Sequence, residues 1–136
     1  MALSFVVDTN VLFTFFWRHS TTRKIFTELQ IRLFAPQYAL EEIRRYAEEI
    51  QNKTKITKNE FEVFYQEILK RVRFFPIEFY QDSVFETKNI ADQKDIDFVA
   101  LSFKLGVPLW TNDKELKQEK IIKVLNTQEV ISLLEY

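Results

Sequence analysis

The sequence predicts an α/β protein built on a mostly parallel β-sheet with helices on both faces. Short apolar runs of strand length alternate along the chain with longer amphipathic segments of helix length, which is the pattern of repeated strand–helix units. No internal repeat, low-complexity tract or linker interrupts this alternation. A length of 136 residues suits one domain with a full core. We therefore expect a single domain over residues 1–136.

The N-terminal part of the chain predicts a buried strand followed by two helices. The apolar run Leu3–Val7 is the first strand, and Val11–Trp17 is almost wholly apolar, as expected for a buried helix. Ser20 then provides an N-cap for a further helix at Thr21–Gln30.

The next segment predicts a second strand and a helical hairpin. Ile31–Ala35 is the strand, and apolar residues then recur at helical spacing over Gln37–Gln51. The polar stretch Asn52–Lys58 reads as a turn before another amphipathic helix at Asn59–Arg71. We expect these two helices to stand beside the sheet.

The C-terminal half predicts three more strands. Val72–Ile77 contains Pro76, which favours an edge position because proline cannot donate to a neighbouring strand. Asp95–Leu105 is apolar almost all round, as a covered helix should be, and Gly106 ends it. The remaining predicted elements are a helix at Glu78–Thr87, strands at Val107–Thr111 and Ile121–Leu125, a short helix or turn at Asn112–Lys117, and a final helix at Thr127–Glu135.

Composition excludes several classes of function. The absence of cysteine excludes disulfides and zinc–thiolate sites, and the single histidine, His19, makes a histidine metal cage untenable. Gly106 is the only glycine, so glycine-rich phosphate loops are absent and no nucleotide cofactor is expected. The fourteen phenylalanines lie mostly inside apolar runs, which indicates core packing rather than base stacking.

Charge and hydropathy set further limits. The formal net charge is −1, so the molecule as a whole does not attract nucleic acid. Any such contact needs a local basic patch or a cation held in an acidic pocket. No apolar run is long enough to cross a membrane, and the N-terminus lacks a secretion signal. We therefore expect a cytoplasmic protein that does not insert into a membrane.

Acidic residues follow or precede the predicted elements in a recurring way. Asp8 comes directly after the first strand, and Asp113 comes shortly after the fourth. Because parallel strands end at the same edge of a sheet, these two carboxylates can meet there. Asp92 and Asp95 precede the covered helix, and either Glu41 or Glu42 lies early in the helix after the second strand.

These acids can be explained as a cation-binding site or, more simply, as residues that cap helices. Like charges close together raise one another's pKa, and a bound cation relieves the repulsion. Oxygen ligands alone favour Mg²⁺ or Mn²⁺ over zinc. Alternatively, Asp92, Asp95 and Asp113 are N-caps of the elements they precede, and the helical pattern leaves Glu41 and Glu42 undecided. Asp8 is harder to explain in that way, since an aspartate after a buried strand needs partners.

The sequence resembles the PIN domain in four segments that span most of the chain: Phe5–Leu12, Ala35–Ile43, Asp92–Leu101 and Leu109–Asp113. The closing Trp-Thr-Asn-Asp is the most specific of these. The resemblance implies a doubly wound five-stranded sheet of order 3-2-1-4-5. It also implies that the first and fourth strands are neighbours.

The resemblance further implies a metal-dependent endoribonuclease that uses one or two Mg²⁺ or Mn²⁺ ions and leaves a 5′-phosphate and a 3′-hydroxyl. Four positions match the family's acids: Asp8, Glu42, Asp95 and Asp113. Asn10 and Thr111 match the small polar residues that hold the acids in place. Asp92 is an additional candidate ligand and ranks above Asp97, whose role is open, as is that of Glu41.

Substrate and partners follow from the same resemblance. Candidate phosphate contacts for an RNA substrate are Arg18, Arg23, Lys24, Arg44 and Arg45, each of which has a solvated surface charge as its alternative. A stand-alone PIN domain of this length resembles the toxins of type II toxin–antitoxin pairs, which implies an antitoxin partner and a homodimer. The hairpin over Gln37–Arg71 and the closing Trp-Thr-Asn-Asp are more similar to a subgroup of small PIN proteins whose partners are often unassigned, so the toxin role stays open.

Two other classes of function compete with a nuclease. A PIN fold that has lost activity and binds RNA or protein as a scaffold is disfavoured because all four matched acids are present. A receiver-type signalling domain needs a pair of acids after the first strand and a phosphorylatable aspartate after the third, and neither occurs. A phosphatase of the Asp-x-Asp type is excluded because Asn10 occupies the second position.

Overall fold

A computed structural model describes residues 3–28, 30–87 and 95–134. Within them, a parallel five-stranded sheet is combined with helices that connect its strands. The elements in chain order are β1 (Leu3–Val7), α1 (Thr9–Thr14), α2 (Thr21–Phe26), β2 (Ile31–Pro36), α3 (Tyr38–Arg45), α4 (Ala47–Thr54), α5 (Lys58–Arg71), β3 (Val72–Phe75), α6 (Ile77–Thr87), α7 (Ile96–Leu105), β4 (Leu109–Trp110), a 3-10 helix (Leu116–Gln118), β5 (Val124–Leu125) and α8 (Thr127–Leu134).

The order of the strands is β3-β2-β1-β4-β5, and every pair is parallel. The predicted α/β class and strand order are therefore confirmed. The central strand β1 pairs with β2 on one side, where Phe5 lies opposite Leu33, and with β4 on the other, where Val7 lies opposite Trp110. The direction of winding reverses between β1 and β4, and in open α/β sheets ligands bind at that point.

Apolar packing around β1 fixes the position of its carboxyl end. Phe5, Val6 and Val7 are at most 1% exposed, and the ring of Trp110 meets that of Phe5 edge to face at 6.2 Å. A further aromatic layer pairs Phe16 of the turn after α1 with Phe61 of α5, whose stacked rings lie 4.9 Å apart. Because the last three residues of β1 are buried, the residue that follows them has little freedom to move.

The helical hairpin differs from the predicted one. The continuous helix expected over Gln37–Gln51 is broken at Tyr46, whose φ of −101° and ψ of 16° separate α3 from α4. Apolar periodicity does not detect this break because the apolar stripe continues on both sides. The turn expected over Asn52–Lys58 is shorter, since α4 runs to Thr54 and a capping box of Thr57 and Glu60 begins α5.

Other elements were predicted in the right place but with different lengths. Ser20 caps α2 as expected, accepting from the backbone N–H of Arg23, but α2 ends at Phe26 rather than at residue 30. The first helix occupies Thr9–Thr14 instead of residues 11–17. β4 and β5 are two residues each, shorter than predicted. The short helix or turn expected over residues 112–117 is a turn that leads into the 3-10 helix.

Three further expectations concern the end of α7, the position of β3 in the sheet and membrane-spanning segments. Gly106 ends α7 in the left-handed conformation, with φ of 66°, as predicted. β3 lies at the edge of the sheet, as the nearby proline indicated. Among the residues that the structure describes, none of the helices has the length and apolar character needed to cross a bilayer.

Candidate functional site

Asp8 lies where β1 ends and α1 begins, and it is only 5% exposed. Its Oδ2 accepts a hydrogen bond of 2.6 Å from Oγ1 of Thr111, which follows β4. Burial raises the pKa of the Asp8 carboxyl above its ordinary value, the Thr111 hydrogen bond opposes that shift, and the charge of Asp113 adds to it. Asp8 holds the N-cap position of α1, but its side chain makes no capping hydrogen bond.

Glu42 lies on α3 and is half-buried. Oγ1 of Thr9 donates a hydrogen bond of 2.7 Å to its Oε1. Burial raises the pKa of Glu42, and the charges of Asp8 and Asp97 raise it further, whereas the Thr9 hydrogen bond and the charge of Arg45 oppose the shift. The carboxylates of Asp8 and Glu42 therefore act on each other, although they come from different strand–helix units.

Asp113 is joined to the same site through Thr111. The backbone N–H of Asp113 donates to Thr111 Oγ1 at 3.1 Å, and the same hydroxyl donates to Asp8. Oδ1 of Asp113 accepts from the backbone N–H of Glu115 at 2.9 Å, which fixes the turn after β4. One threonine side chain thus connects the acid after β1 with the acid after β4.

The acids before and within α7 occupy different positions. Asp95 holds the N-cap position, is partly buried and makes no side-chain capping hydrogen bond. Asp97 accepts a hydrogen bond of 2.9 Å from the hydroxyl of Tyr80 on α6 and acts electrostatically on Glu42. Asp92, the additional candidate ligand, lies outside the described residues, and Glu41 is exposed.

The acids of this site suit a divalent metal ion by their chemistry, but the described residues do not form a complete metal site. The acids offer only oxygen ligands, and Asp8 and Glu42 carry the repulsion and desolvation that a hard divalent cation relieves. Over residues 3–28, 30–87 and 95–134, however, no three His, Cys, Asp or Glu side chains are arranged to hold a metal ion. The donor set fits Mg²⁺ or Mn²⁺ by its chemistry, with Asp8 and Glu42 as the electrostatically coupled pair.

Two of the predicted substrate contacts have structural partners instead. The guanidinium of Arg23 donates to the carbonyl oxygens of Phe15, Trp17 and Arg18 at 2.5 to 2.7 Å, so it holds the turn after α1. Burial lowers its pKa. Arg44 donates to both carboxylate oxygens of Glu62 on α5, at 2.5 and 3.0 Å. Both guanidinium groups therefore have protein partners, and their contact with RNA stays a prediction.

The other predicted cations remain at the surface. Arg18 and Lys24 are exposed and line one cavity of about 370 Å³ together with His19. Arg45 is exposed on α3, and its charge reaches Glu42. Asn10 is also exposed and lines a groove that includes Glu42.

The sequence reasoning missed Thr9 and Tyr80. It assigned the holding of the acids to Asn10 and Thr111, whereas the hydroxyl that binds Glu42 belongs to Thr9, one residue earlier. A threonine directly after the strand-end aspartate was the available signal. Tyr80 could not have been found, because its link to Asp97 depends on how α6 packs against α7.

Comparison with known proteins identifies the fold. A family model described as the PIN domain matches residues 6–133. Among solved structures, a crystal structure of VapBC2 from Rickettsia felis bound to a DNA fragment from their promoter is similar, with a TM-score of 0.65 and 14% sequence identity. The match covers 91% of this chain and 98% of that chain. A search of curated proteins finds no significant match.

Proposed function

The chain belongs to the PIN-domain family, and from that premise we propose that it is a metal-dependent endoribonuclease with one PIN domain over residues 1–136. The proposed site consists of Asp8, Glu42, Asp95 and Asp113. The observation that carries the proposal is the buried Asp8 carboxylate, whose pKa is raised by burial and whose charge is coupled to those of Glu42 and Asp113. Burial and mutual repulsion both disfavour the charged form of these acids, and a bound cation would relieve both.

The four carboxylates would hold one or two Mg²⁺ or Mn²⁺ ions. Such an ion supplies charge neutralisation at the scissile phosphate and lowers the pKa of an attacking water. The hydroxyls of Thr111 and Thr9 each hold one carboxylate oxygen, Oδ2 of Asp8 and Oε1 of Glu42. By fixing one oxygen of each acid they orient the other, which keeps the ligands in place before a cation arrives.

An RNA substrate must overcome the repulsion of an acidic site. The chain has a formal net charge of −1, so attraction has to be local. Arg45 lies on the same helix as Glu42, and Arg18 and Lys24 line a neighbouring basic surface. We assign the phosphate contacts to these three cations.

A role as the toxin of a toxin–antitoxin pair is supported by the similarity in fold to VapBC2 and by the resemblance in sequence to stand-alone toxins. In that role the chain would be inhibited by an antitoxin and would act as a cytoplasmic homodimer. A small open reading frame next to the gene, whose product co-purifies with this chain, is the expected finding. Growth unaffected by expression of the active protein alone would contradict the toxin role without affecting the nuclease.

The nuclease proposal is tested by incubating single-stranded and structured RNA with the protein in Mg²⁺, Mn²⁺ or EDTA. The unmodified protein should cleave only with metal, and Asp8→Asn and Asp95→Asn should each lose activity. Asp82→Asn is the matched control, because Asp82 is exposed, pairs with Lys104 and is not one of the proposed ligands. Cleavage that persists in EDTA or in both site variants would overturn the proposal.

A further inference from the structure

A groove of about 470 Å³ leads away from the acids between α1 and the broken helix formed by α3 and α4. Glu42 and Asn10 line it at one end, and Lys53 of α4 lines it further along. Its volume lies within the range of ligand pockets, about 300–1,000 Å³. The groove therefore has room for a substrate group next to the scissile phosphate.

Two aromatic side chains that line this groove are partly exposed to solvent. Trp17 is 47% exposed and Tyr46 is 39% exposed, whereas the other tryptophan, Trp110, is fully buried. The ring of Tyr46 meets that of Phe13 edge to face at 6.1 Å, and the backbone of Trp17 is held by Arg23, which donates to its carbonyl oxygen at 2.5 Å. The break between α3 and α4 falls at Tyr46, so the irregular backbone coincides with the exposed ring.

A basic surface begins on the other side of Trp17. A second cavity of about 440 Å³ is lined by Trp17 together with Arg18, His19 and Lys55. Its two cations are exposed, and Lys55 is held at the end of α4 by a left-handed backbone, with φ of 58°. The charge of Arg18 acts on Glu60, which is engaged in the capping box of α5. Trp17 thus stands between an acidic end and a basic end.

We propose that this groove binds one unpaired nucleotide of a single-stranded RNA. Its base stacks on Trp17 and Tyr46, while the phosphates that follow lie against Arg18 and Lys55. Every base has a flat face that an aromatic ring can accept, so this grip does not depend on sequence. The inference rests on the proposed function and adds to it a base-binding site formed by Trp17 and Tyr46 beside the acids.

A nucleic acid strand fits the groove better than a protein segment does. An amphipathic peptide helix needs a continuous apolar surface, and this groove interrupts its aromatic rings with Asn10, Glu42 and the ion pair of Glu49 and Lys53. The acids, the exposed rings and the cations follow one another along the groove. This order matches that of the scissile phosphate, a base and the further phosphates of a bound strand.

Tryptophan fluorescence gives a direct test because the chain has only two tryptophans. Trp110 is buried and donates to Thr127, so a change on RNA binding reports on Trp17. Titration of a ten-nucleotide single-stranded RNA in EDTA should quench the fluorescence, and a duplex of the same sequence should do so weakly. In Trp17→Phe the quenching should vanish while labelled RNA still binds, since phenylalanine preserves the stack.

Variants separate the stack from the phosphate contacts. Trp17→Ala should weaken binding of the single strand about 5- to 100-fold, the range for one lost base–aromatic stack. Phe85→Ala, a change at a ring that is 70% exposed on α6 and outside the groove, should leave affinity unchanged. Arg18→Gln should make the dependence of log affinity on log salt shallower by about 0.7 for the lost phosphate contact. Because it keeps the tryptophan, this variant remains informative if Trp17→Ala unfolds.

The outcomes distinguish this inference from the function on which it rests. In Mn²⁺, Trp17→Ala should raise the KM for single-stranded RNA and leave kcat within about threefold. If the unmodified protein cleaves RNA but shows no quenching and Trp17→Ala matches it in KM, the nucleotide site is wrong and the nuclease stands. If quenching depends on Trp17 but no metal supports cleavage, the nucleotide site is supported and the nuclease is wrong. If the groove instead binds a protein partner, RNA should leave the fluorescence unchanged. That result would overturn the inference.

Discussion

Thr9 and Glu42, 33 residues apart in the chain, are joined by a hydrogen bond of 2.7 Å from Thr9 Oγ1 to Glu42 Oε1. Thr111 holds Asp8 in the same way across 103 residues. Both acids are thus supported by neutral hydroxyls. Within the described part of the chain, none of the ion pairs includes either acid. Neutralisation of the charge on these two acids is therefore left to a ligand.

Asp8→Asn should stabilise the metal-free protein at neutral pH. Burial raises the pKa of Asp8 above 3.8, so the folded state holds the proton more tightly than the unfolded state does. The protonated Asp8 carboxyl therefore stabilises the folded state below pH 3.8. This stabilisation is lost as the pH rises through the raised pKa, and above it the ionised carboxylate opposes folding. Thermal melts in EDTA should show a gain of a few degrees in Tm at pH 7 and none near pH 4.

Asp82→Asn is the control for that measurement, because Lys104 lowers the pKa of Asp82. The pH dependence has the opposite sign for Asp82. The ion pair stabilises the folded state above the ordinary pKa of Asp82, and this stabilisation is lost as the pH falls. This exposed pair is worth little, so the substitution should slightly lower the Tm at pH 7. A gain for Asp8→Asn that is equal at both pH values would show that it has another cause.

Thr111→Val should damage both the stability and the pH profile of the site. The substitution removes the donor to Asp8 and the acceptor for the N–H of Asp113, which leaves buried polar groups unpaired at a cost of about 1–3 kcal/mol. Without the hydroxyl the pKa of Asp8 rises further, so the acidic limb of the cleavage profile should move to higher pH. Urea unfolding and pH-dependent cleavage measure the two effects. Thr111→Ser retains the hydroxyl and should behave nearly as the unmodified protein, and an equal loss in both variants would assign the effect to packing.

The two acids at the start of α7 should differ in importance. Asp95→Asn should reduce cleavage by about 100-fold or more, as expected for a group at the reacting centre. Asp97 is held by the hydroxyl of Tyr80, and its charge raises the pKa of Glu42. Asp97→Asn should therefore reduce cleavage less and shift the acidic limb to lower pH. Single-turnover rates from pH 5 to 8 distinguish the two, and a larger loss for Asp97→Asn would exchange their roles.

Gly106→Ala should cost stability without affecting the site. The left-handed φ of 66° is strained for any residue with a Cβ, although no atom lies within 4 Å of the added carbon. The expected loss is about 1 kcal/mol, from backbone strain alone. Denaturant unfolding measures the loss, and kcat should be unchanged. A loss well above about 2 kcal/mol would mean that the helix end is displaced.

Elements with strong local signals were predictable from the sequence. β1 is a mostly apolar run, Ser20 is an N-cap directly before a helix, and Gly106 is a glycine at a helix end, so each depends on neighbouring residues alone. The break at Tyr46 was not predictable, because the apolar stripe runs through it. The short strands β4 and β5 depend on pairing with distant partners, and their lengths are therefore a property of the sheet.

The candidate site was partly predictable for the same reason. The meeting of Asp8 and Asp113 follows from parallel strands that end at one edge, and the structure links these two residues through Thr111. The partners of Arg23 and Arg44 were not predictable. A guanidinium that binds carbonyl oxygens of a turn, or a glutamate on another helix, looks in sequence like any surface charge.

Calorimetric titration of the metal-free protein with Mn²⁺ is the most direct test of whether these acids form one metal site. The unmodified protein and Asp82→Asn should bind one or two ions with the same affinity, whereas Asp8→Asn and Glu42→Gln should each bind at least about tenfold more weakly, a loss of about 1.4 kcal/mol. Saturating Mn²⁺ should also raise the Tm of the unmodified protein, since the ion binds the folded state. Mn²⁺ affinity that is equal in all four proteins would contradict the account.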